Sequence, residues 1–586
     1  MKDQNLENLR HSCAHLLAAA VMEIWPKTKR TIGPAIENGF YFDFDFNDIK
    51  ISKDDFLKIE KKMAELVKTW QFFEKFKLSA SDAKKIYPGN QYKNELIDEI
   101  AKKNQVISFY KSGTYWDLCE GGHCEKPSEE LKYFKLLSVA GAYWRGDEKN
   151  KMLTRIYGTI FTTKEELEKY LWQLEEAKKR DHRKLGRQLD LFVISESIGK
   201  GLPLLTPKGA LIRKQILDYE YELEKQSGFK HVVTPHIARS ELYKKTGHWQ
   251  HYREMMYAPF GIDGEEYVVK PMNCPHHYMI YASRPRSYKD LPIRLTEVGT
   301  CYRFEKTGEL AGLLRVRALT IDDSHILMME NQIENEFKIC IDMVKKMFQA
   351  FQLKDFYVRL SLADPSDAVK YIADKKTWEK AGDKLEKIVK DNHLKHVIAK
   401  GEASFYGPKI DFMVRDSLGR QWQMSTLQLD LFMGKSLGLI YIDEQGKEKH
   451  PVILHRGLTG SIERTLAILI EHFAGAFPLW LSPVQTTVLP VSDKIIQHAQ
   501  KINQILLTSN IRSELDLDNK TLGAKIRQST LKKIPYMVII GEKELESYKV
   551  HKVFKVSVRT RDGKDLGMIN VYQFIENLKK QIENFA

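Results

Sequence analysis

Three residues set far apart along the chain sit in local contexts that ask for the same chemistry. Cys274 lies in KPMNCPHH (Lys270 to His277), His325 closes TIDDSH (Thr320 to His325), and His455 opens HRGLTGSIER (His455 to Arg464). A thiolate and two imidazoles form a borderline-soft donor set that suits zinc, and three protein donors leave one position open for a substrate. Beside them run arginines suited to phosphate: Arg303, Arg315 and Arg317 in RFEKTGELAGLLRVR, and Arg464. A fold that uses all three donors must bring remote segments to one point. The pattern reads as a zinc-assisted, nucleotide-using enzyme. Taken singly, each residue has a plainer reading, Cys274 as a small buried hydrophobe and each histidine as a satisfied core or surface residue. Spacing alone does not choose between them.

At 586 residues the chain is expected to form several domains rather than one core. No window approaches twenty apolar residues, so no transmembrane helix is expected, and Met1 is followed by a polar, mixed-charge segment without an apolar signal core. Six cysteines in so long a chain read as reduced thiols rather than a disulfide framework, which fits a cytoplasmic protein. The formal net charge of +14 favours polyanionic partners such as nucleic acid. Scattered surface lysines would give the same figure, so charge supports an RNA partner without establishing one.

Four segments emerge. Residues 1–160 open with an apolar-periodic helix around Leu6 to Trp25. They continue through a strand pair at IGPAIENGFYFDFDF, where aromatic and polar residues alternate. Residues 161–187 form a linker helix with a capping-box pattern at Thr163 and Glu166. Leu167, Leu171 and Leu174 recur there at helical spacing. The basic stretch AKKRDHRKLGR that follows suits a phosphate backbone or a solvated helix end. Residues 188–482 hold the motifs above. Residues 483–586 alternate strands and helices, as an independent α/β domain does.

In the first segment His11 and His15, in HSCAHLL, share a helix face. Cys119 and His123, in DLCEGGHC, show the same spacing. The residues alone leave two readings open, a zinc constellation or helix-packing histidines beside a buried thiol.

In these motifs the chain resembles the threonyl-tRNA synthetase family of class II aminoacyl-tRNA synthetases. The resemblance spans nearly the whole length, with several motifs in the family's order. It implies an α/β multidomain protein: a class II antiparallel-sheet catalytic core, an α+β editing domain and an α/β anticodon-binding domain. The implied activity is ligation of L-threonine to tRNA(Thr) through a threonyl-adenylate made from ATP, by a cytoplasmic homodimer without membrane or DNA partners. One Zn²⁺ per subunit on Cys274, His325 and His455 is implied, with Mg²⁺ accompanying ATP. GFKHVVTPH (Gly228 to His236) is similar to motif 1, which places Pro235 at the dimer interface. Arg303 would grip the α-phosphate and the substrate carboxylate, Glu305 the adenine amine, and Arg315 and Arg464 the γ-phosphate. Threonine would be lined by Met272, Asp323, Tyr406, Lys409, Gln423 and Gln428, with Asp323 accepting from the hydroxyl.

The family's RVRGFTQDDAH reads RVRALTIDDSH here. Leu319 stands where a phenylalanine stacks on adenine, Ile321 where a glutamine helps hold the amino acid, and Ala311 where a histidine is common. These departures keep a second reading alive, a catalytically weakened synthetase-like RNA-binding regulator. A serine or proline specificity is a third, disfavoured by the zinc and editing sets together.

The resemblance also assigns the first segment. Zinc can exclude valine but not serine, and one missing methyl yields only about 1–3 kcal/mol of discrimination, so a second, hydrolytic site is required. His11, His15, Lys93, Asp117, Cys119 and His123 fall on the family's editing positions, with Tyr41 near them. A water would attack the seryl ester of seryl-tRNA(Thr), assisted by His11 or Lys93, and metal occupancy there stays open. The editing helix begins almost at Met1, so the family's small ubiquitin-like domain is expected to be absent. At the other end Asn519, Glu546 and Arg561 match positions that read anticodon bases, though Lys520 and Thr521 depart from the usual pattern.

Overall fold

The first helix owes its place to an apolar run that no solvent-exposed helix could carry. The computed structural model describes residues 2–364, 367, 370–372 and 374–586. It divides into two compact units, Met1–Glu175 and Glu176–Ala586. In the first unit α1 (Lys2–Ile24) is buried continuously over residues 12–21. It packs on β1 (Gly39–Asp45), whose Phe40, Phe42 and Phe44 are at most 1% exposed. Their alternate positions put all three rings on one face, as the pleat requires. β1 lies between Lys29–Arg30 and Met152–Phe161 in an antiparallel sheet that Tyr133–Tyr143 completes, and Ala35–Ile36 turns back on it as a short hairpin. A second sheet of Glu74–Lys77, Ser108–Ser112 and Tyr115–Leu118 carries the helices Ala80–Lys85 and Gln91–Lys102.

The helix Lys164–Arg180 starts at Thr163, whose hydroxyl accepts from the Glu166 N–H at 3.2 Å. The reciprocal half of the expected capping box is absent: the Glu166 carboxylate takes the Thr162 hydroxyl instead, at 2.6 Å. Asp181 then caps a separate short helix, His182–Gln188. The basic stretch here is partly turned inward. Arg180 donates to the His472 carbonyl at 3.3 Å, and His182 is buried against Glu471 at 2.7 Å.

The second unit is built on an eight-stranded sheet. Its long strands are β2 (Ile293–Tyr302), β3 (Ala318–Met328), β4 (Gln421–Asp430) and β5 (Val452–Ser461). The spatial order is Lys230–His231, β2, β3, β5, β4, Lys409–Arg415, Phe356–Leu362, His396–Lys400, antiparallel except at the two edge pairs. One face is covered by the helices Pro207–Gln226, Ile333–Ala350 and Ile462–His472, which supply Ile216, Phe337, Leu466 and their neighbours to the largest apolar cluster. Ile326 and Leu454 point into that layer. His325 and His455, one position away on the same strands, therefore point to the opposite face.

The helical side is not purely apolar. Arg456, fully buried, donates to Ser324 Oγ at 2.5 Å and pairs with Glu224. Glu224 also accepts from Thr296 Oγ1 at 2.7 Å, and Ser324 donates to Thr296 at 2.7 Å. The network pins helix Pro207–Gln226 to three adjacent strands immediately behind the histidine row.

The chain ends in a sheet ordered Ser513–Leu515, Thr486–Pro490, Tyr536–Ile540, Lys555–Thr560, Asp565–Asn570, parallel in its first half and antiparallel in its second. Two of its elements escape a reading by pattern. Helix Glu542–His551 carries charges nearly all round, and Asp565–Asn570 is a short, glycine-containing strand. Arg512 fastens this sheet to the preceding segment by donating to the Trp480 carbonyl at 2.7 Å. Among the described residues no helix is long and apolar enough to cross a membrane.

Replacing Arg456 by methionine would leave Glu224 buried without its cation. Such a break costs about 3–5 kcal/mol. Urea denaturation followed by tryptophan fluorescence should show the second unit's transition displaced by that amount.

Candidate functional site

Cross-strand pairing does what sequence spacing cannot. His325 on β3 is the direct register partner of His455 on β5, and Gln428 on β4 is the next partner of His455. The row continues to Lys409. Cys274 reaches it from the first position of the short helix Cys274–Ala282, which has Pro275 in its first turn. The donor atoms of Cys274, His325 and His455 all lie within 4.8 Å of one another, and all three residues are buried.

The donors fit a divalent cation. His325 Nδ1 lies 2.8 Å from His277 Nδ1, while its Nε2 is buried with no hydrogen-bond partner. An orphaned buried ring nitrogen facing a thiol and a second imidazole is costly unless something binds it. Without a cation, burial and then His455 hold the His325 imidazole well below its ordinary range, and burial pushes the Cys274 thiol well up. A bound cation would reverse the second effect by stabilising the thiolate.

The triad opens on a cavity of about 600 Å³. Met272, Asp323, Tyr406 and Gln428 line it near the triad, and Gln423, Arg303, Glu305, Arg315, Leu319 and Arg464 line it further out along the strands. Asp323 is fixed by Asn273, whose Nδ2 donates to it at 3.2 Å, and burial raises its pKa. The loop that carries Tyr406 has no spare room. A Cβ on Gly407 would stand 2.0 Å from the Leu429 carbonyl oxygen. Gln423 donates to Asp411 at 2.8 Å and accepts from Arg359 at 2.9 Å, so its amide is already engaged. Lys409 does not line the cavity, and its ammonium pairs with Asp411 at 3.1 Å.

At the outer end Arg315 is held by two carboxylates, Glu305 at 2.7 Å and Glu309 at 3.0 Å. Arg303 donates to the Pro271 carbonyl at 3.3 Å. Burial, and then Arg315, lower the Arg464 pKa, so an anion between these guanidiniums would relieve both effects. Leu319 packs with Cys301, Val316 and Ile321, which makes this wall of the cavity apolar.

The first unit holds a second cluster. The donor atoms of His11, His15, Cys119 and His123 lie within 4.8 Å of one another, a set able to hold a metal ion. The hydrogen bonds fix two tautomers. His11 Nδ1 donates to the Gly122 carbonyl at 3.2 Å. Ser12 donates its hydroxyl proton to the Asn8 carbonyl, so its oxygen accepts from His123 Nδ1 at 3.2 Å. Both Nε2 lone pairs therefore face Cys119 Sγ, each at 3.4 Å. Burial lowers all three imidazoles, His123 to about 3, and raises the Cys119 thiol to about 11. The cluster is an uncharged set of bases.

Asp117 and Lys93 stand beside it as a buried ion pair at 2.9 Å. Asp117 also receives Tyr87 at 2.6 Å, Tyr115 at 3.0 Å and Arg30 at 3.3 Å. Burial works to raise its pKa, but Lys93 and Arg30 outweigh it and hold the carboxyl below the usual range. These donors fix the carboxylate in place. Tyr41 takes its contacts on β1, with Tyr157 at 5.7 Å and the Arg155 guanidinium 3.8 Å over its ring.

Comparison with known proteins decides the family. The tRNA synthetase class II core domain (G, H, P, S and T) matches residues 260–473, the anticodon binding domain 485–581, and the threonyl and alanyl tRNA synthetase second additional domain 107–157. The chain is 46% identical over 576 residues to a threonine–tRNA ligase of Cytophaga hutchinsonii, covering 98% of this chain and 88% of that one. It is 45% identical over 588 residues to one of Gloeobacter violaceus, covering 99% and 93%. The chain belongs to the threonine–tRNA ligase family.

A solved structure described as the RNA binding domain of threonyl-tRNA synthetase from Cryptosporidium parvum superposes with a TM-score of 0.64 at 33% identity, over 68% of this chain and 98% of that one. A prolyl-tRNA synthetase of Giardia lamblia shares the fold, with a TM-score of 0.55 at 15% identity over 70% and 80%. Within this threonine–tRNA ligase family member the three C-terminal positions differ in exposure. Asn519 and Glu546 are exposed, and Arg561 is partly buried, donating to the Phe477 carbonyl at 2.8 Å.

Several neighbours of these sites were not found by motif. Asn273 and His277 lie inside the quoted KPMNCPHH, so contiguity was an available signal. His248, with Nε2 3.7 Å from Cys274 Sγ, and Glu297 and Arg30 carry no local pattern.

His11, His15 and His123 are neutral in the fold but take a proton in the unfolded chain below about 6.5. The unfolded state then binds more protons, so stability falls as pH drops from about 6.5 toward 3. Urea midpoints between neutral pH and about 4.5 should show this slope, and His123→Asn should make it shallower.

Proposed function

We propose that this chain activates L-threonine with ATP, transfers it to tRNA(Thr), and hydrolyses seryl-tRNA(Thr) at a separate site. The observation that carries the reading is the buried Cys274, His325 and His455 triad beside Asp323, in the cavity that also holds Arg303, Arg315 and Arg464. Cys274, His325 and His455 would hold zinc, which when bound supplies an open coordination position for the amino group and hydroxyl of threonine. Asp323, oriented by Asn273, accepts from that hydroxyl. Valine offers a methyl there and leaves the carboxylate unpaired, a mismatch worth about 10⁴ or more in selectivity. Arg303 draws the amino-acid carboxylate and the α-phosphate together, and Arg315 and Arg464 hold the far end of Mg²⁺-bound ATP. The work is positioning and charge stabilisation.

In residues 1–160 the neutral His11 Nε2 would take a proton from an attacking water, with Lys93 polarising the ester. Residues 161–187 link this editing domain to a catalytic domain of residues 188–482, and residues 483–586 bind the anticodon through Asn519, Glu546 and Arg561. A homodimer forms through the segment around Pro235, where the neighbouring Val233 is 93% exposed. The enzyme works where its tRNA does, in the cytoplasm.

Threonine-dependent ATP–pyrophosphate exchange is expected, and prolonged chelation should remove it. Asp323→Asn should cut the threonine-over-valine preference by about 100-fold or more. No exchange with threonine would overturn the reading. Replacing His11 and Cys119 by alanine should abolish seryl-tRNA hydrolysis with exchange unchanged, and intact hydrolysis would remove the editing assignment.

A further inference from the structure

His325 can present a lone pair from Nε2 only if its proton sits on Nδ1. That nitrogen lies 2.8 Å from His277 Nδ1, so one of the two must donate and the other accept. The next link decides which. His277 Nε2 is 3.4 Å from Glu297 Oε2, and a carboxylate only accepts, so His277 carries its proton on Nε2 and accepts at Nδ1. Glu297 is held as an anion from every side. It accepts from the Thr234 N–H and the Thr234 hydroxyl, each at 2.8 Å, and Lys270 Nζ stands 3.6 Å away while donating to Thr234 Oγ1 at 2.9 Å. Burial alone would raise the Glu297 pKa, but the bonds from His277 and Thr234 bring it down to about 2. His277 is fully buried, and Lys270, Glu297 and Thr234 are nearly so. The hydrogen bonds have one possible direction, from His325 through His277 to Glu297.

We propose that His277 and Glu297 are positioning residues that fix the tautomer and ring orientation of His325, so that Nε2 faces the metal with its lone pair. The relay ends on the backbone of Thr234, next to Pro235, and so fastens the metal ligand to the segment assigned above to the dimer face. This rests on the zinc reading of Cys274, His325 and His455. Partners of this kind are worth about 10- to 100-fold in metal affinity.

The test uses full-length protein purified without chelator: wild type, His277→Phe, His277→Gln and Glu297→Gln. Zinc content is measured by elemental analysis and affinity by competition with a chromophoric chelator. Phenylalanine keeps the ring but accepts nothing, and zinc affinity should fall by about 10- to 100-fold. Glutamine retains an acceptor and a donor and should restore most of the loss. Glu297→Gln keeps shape but removes the charge and should weaken zinc by about tenfold. The Co²⁺-substituted phenylalanine variant should show altered ligand-field bands, which a general loss of stability would not produce. Wild type without zinc would overturn the zinc reading and the relay with it. Wild type with zinc, and His277→Phe holding it equally well, would overturn the relay alone. If His277→Phe does not fold, wild-type affinity in Glu297→Gln does the same.

Discussion

The catalytic unit depends on two histidines being opposite each other across one antiparallel ladder. A slip of one residue between β3 and β5 would turn His325 toward the helices and bring Ile326 into the cavity. The register is therefore guarded on both sides of the sheet. Behind it, Arg456 ties Ser324, Thr296 and Glu224 together. In front of it, Asn273 and His277, from the segment that delivers Cys274, grip Asp323 and His325. Asp323 and His325 are thus held by the same segment that delivers Cys274.

The first unit solves a different problem with related parts. Its imidazoles are kept uncharged by burial, and two of them have their Nδ1 protons assigned by a carbonyl and a serine hydroxyl. The charge beside them is held in contact, the Asp117 carboxylate pairing with both Lys93 and Arg30. Chemistry in a mostly apolar domain is compatible with folding because no member of the cluster has to bury a net charge alone.

Much of this was legible in the sequence, and the gaps have physical causes. Cys274, His325, His455, Arg303 and Arg464 sit in motifs that are local, so reading them required no tertiary knowledge. The alternating aromatics of β1 and the apolar run of α1 announced themselves by period. Arg30, Glu297 and His248 did not, because a residue recruited from a distant element to satisfy a buried partner leaves no local pattern. Lys409 shows the converse. Its motif points to the pocket, but in the fold its ammonium turns to Asp411, while Gln423, also bonded to Asp411, stays in the lining. Helix Glu542–His551 leaves no pattern to read because its charges hide any apolar stripe.

The pairing of Arg315 with Glu305 and Glu309 has a consequence for which molecules the loop will admit. Left alone, the loop carries its own counter-ions, two carboxylates to one guanidinium. A visitor that draws Arg315 away must therefore replace the cation that Glu305 and Glu309 lose as well as supply a partner for Arg315.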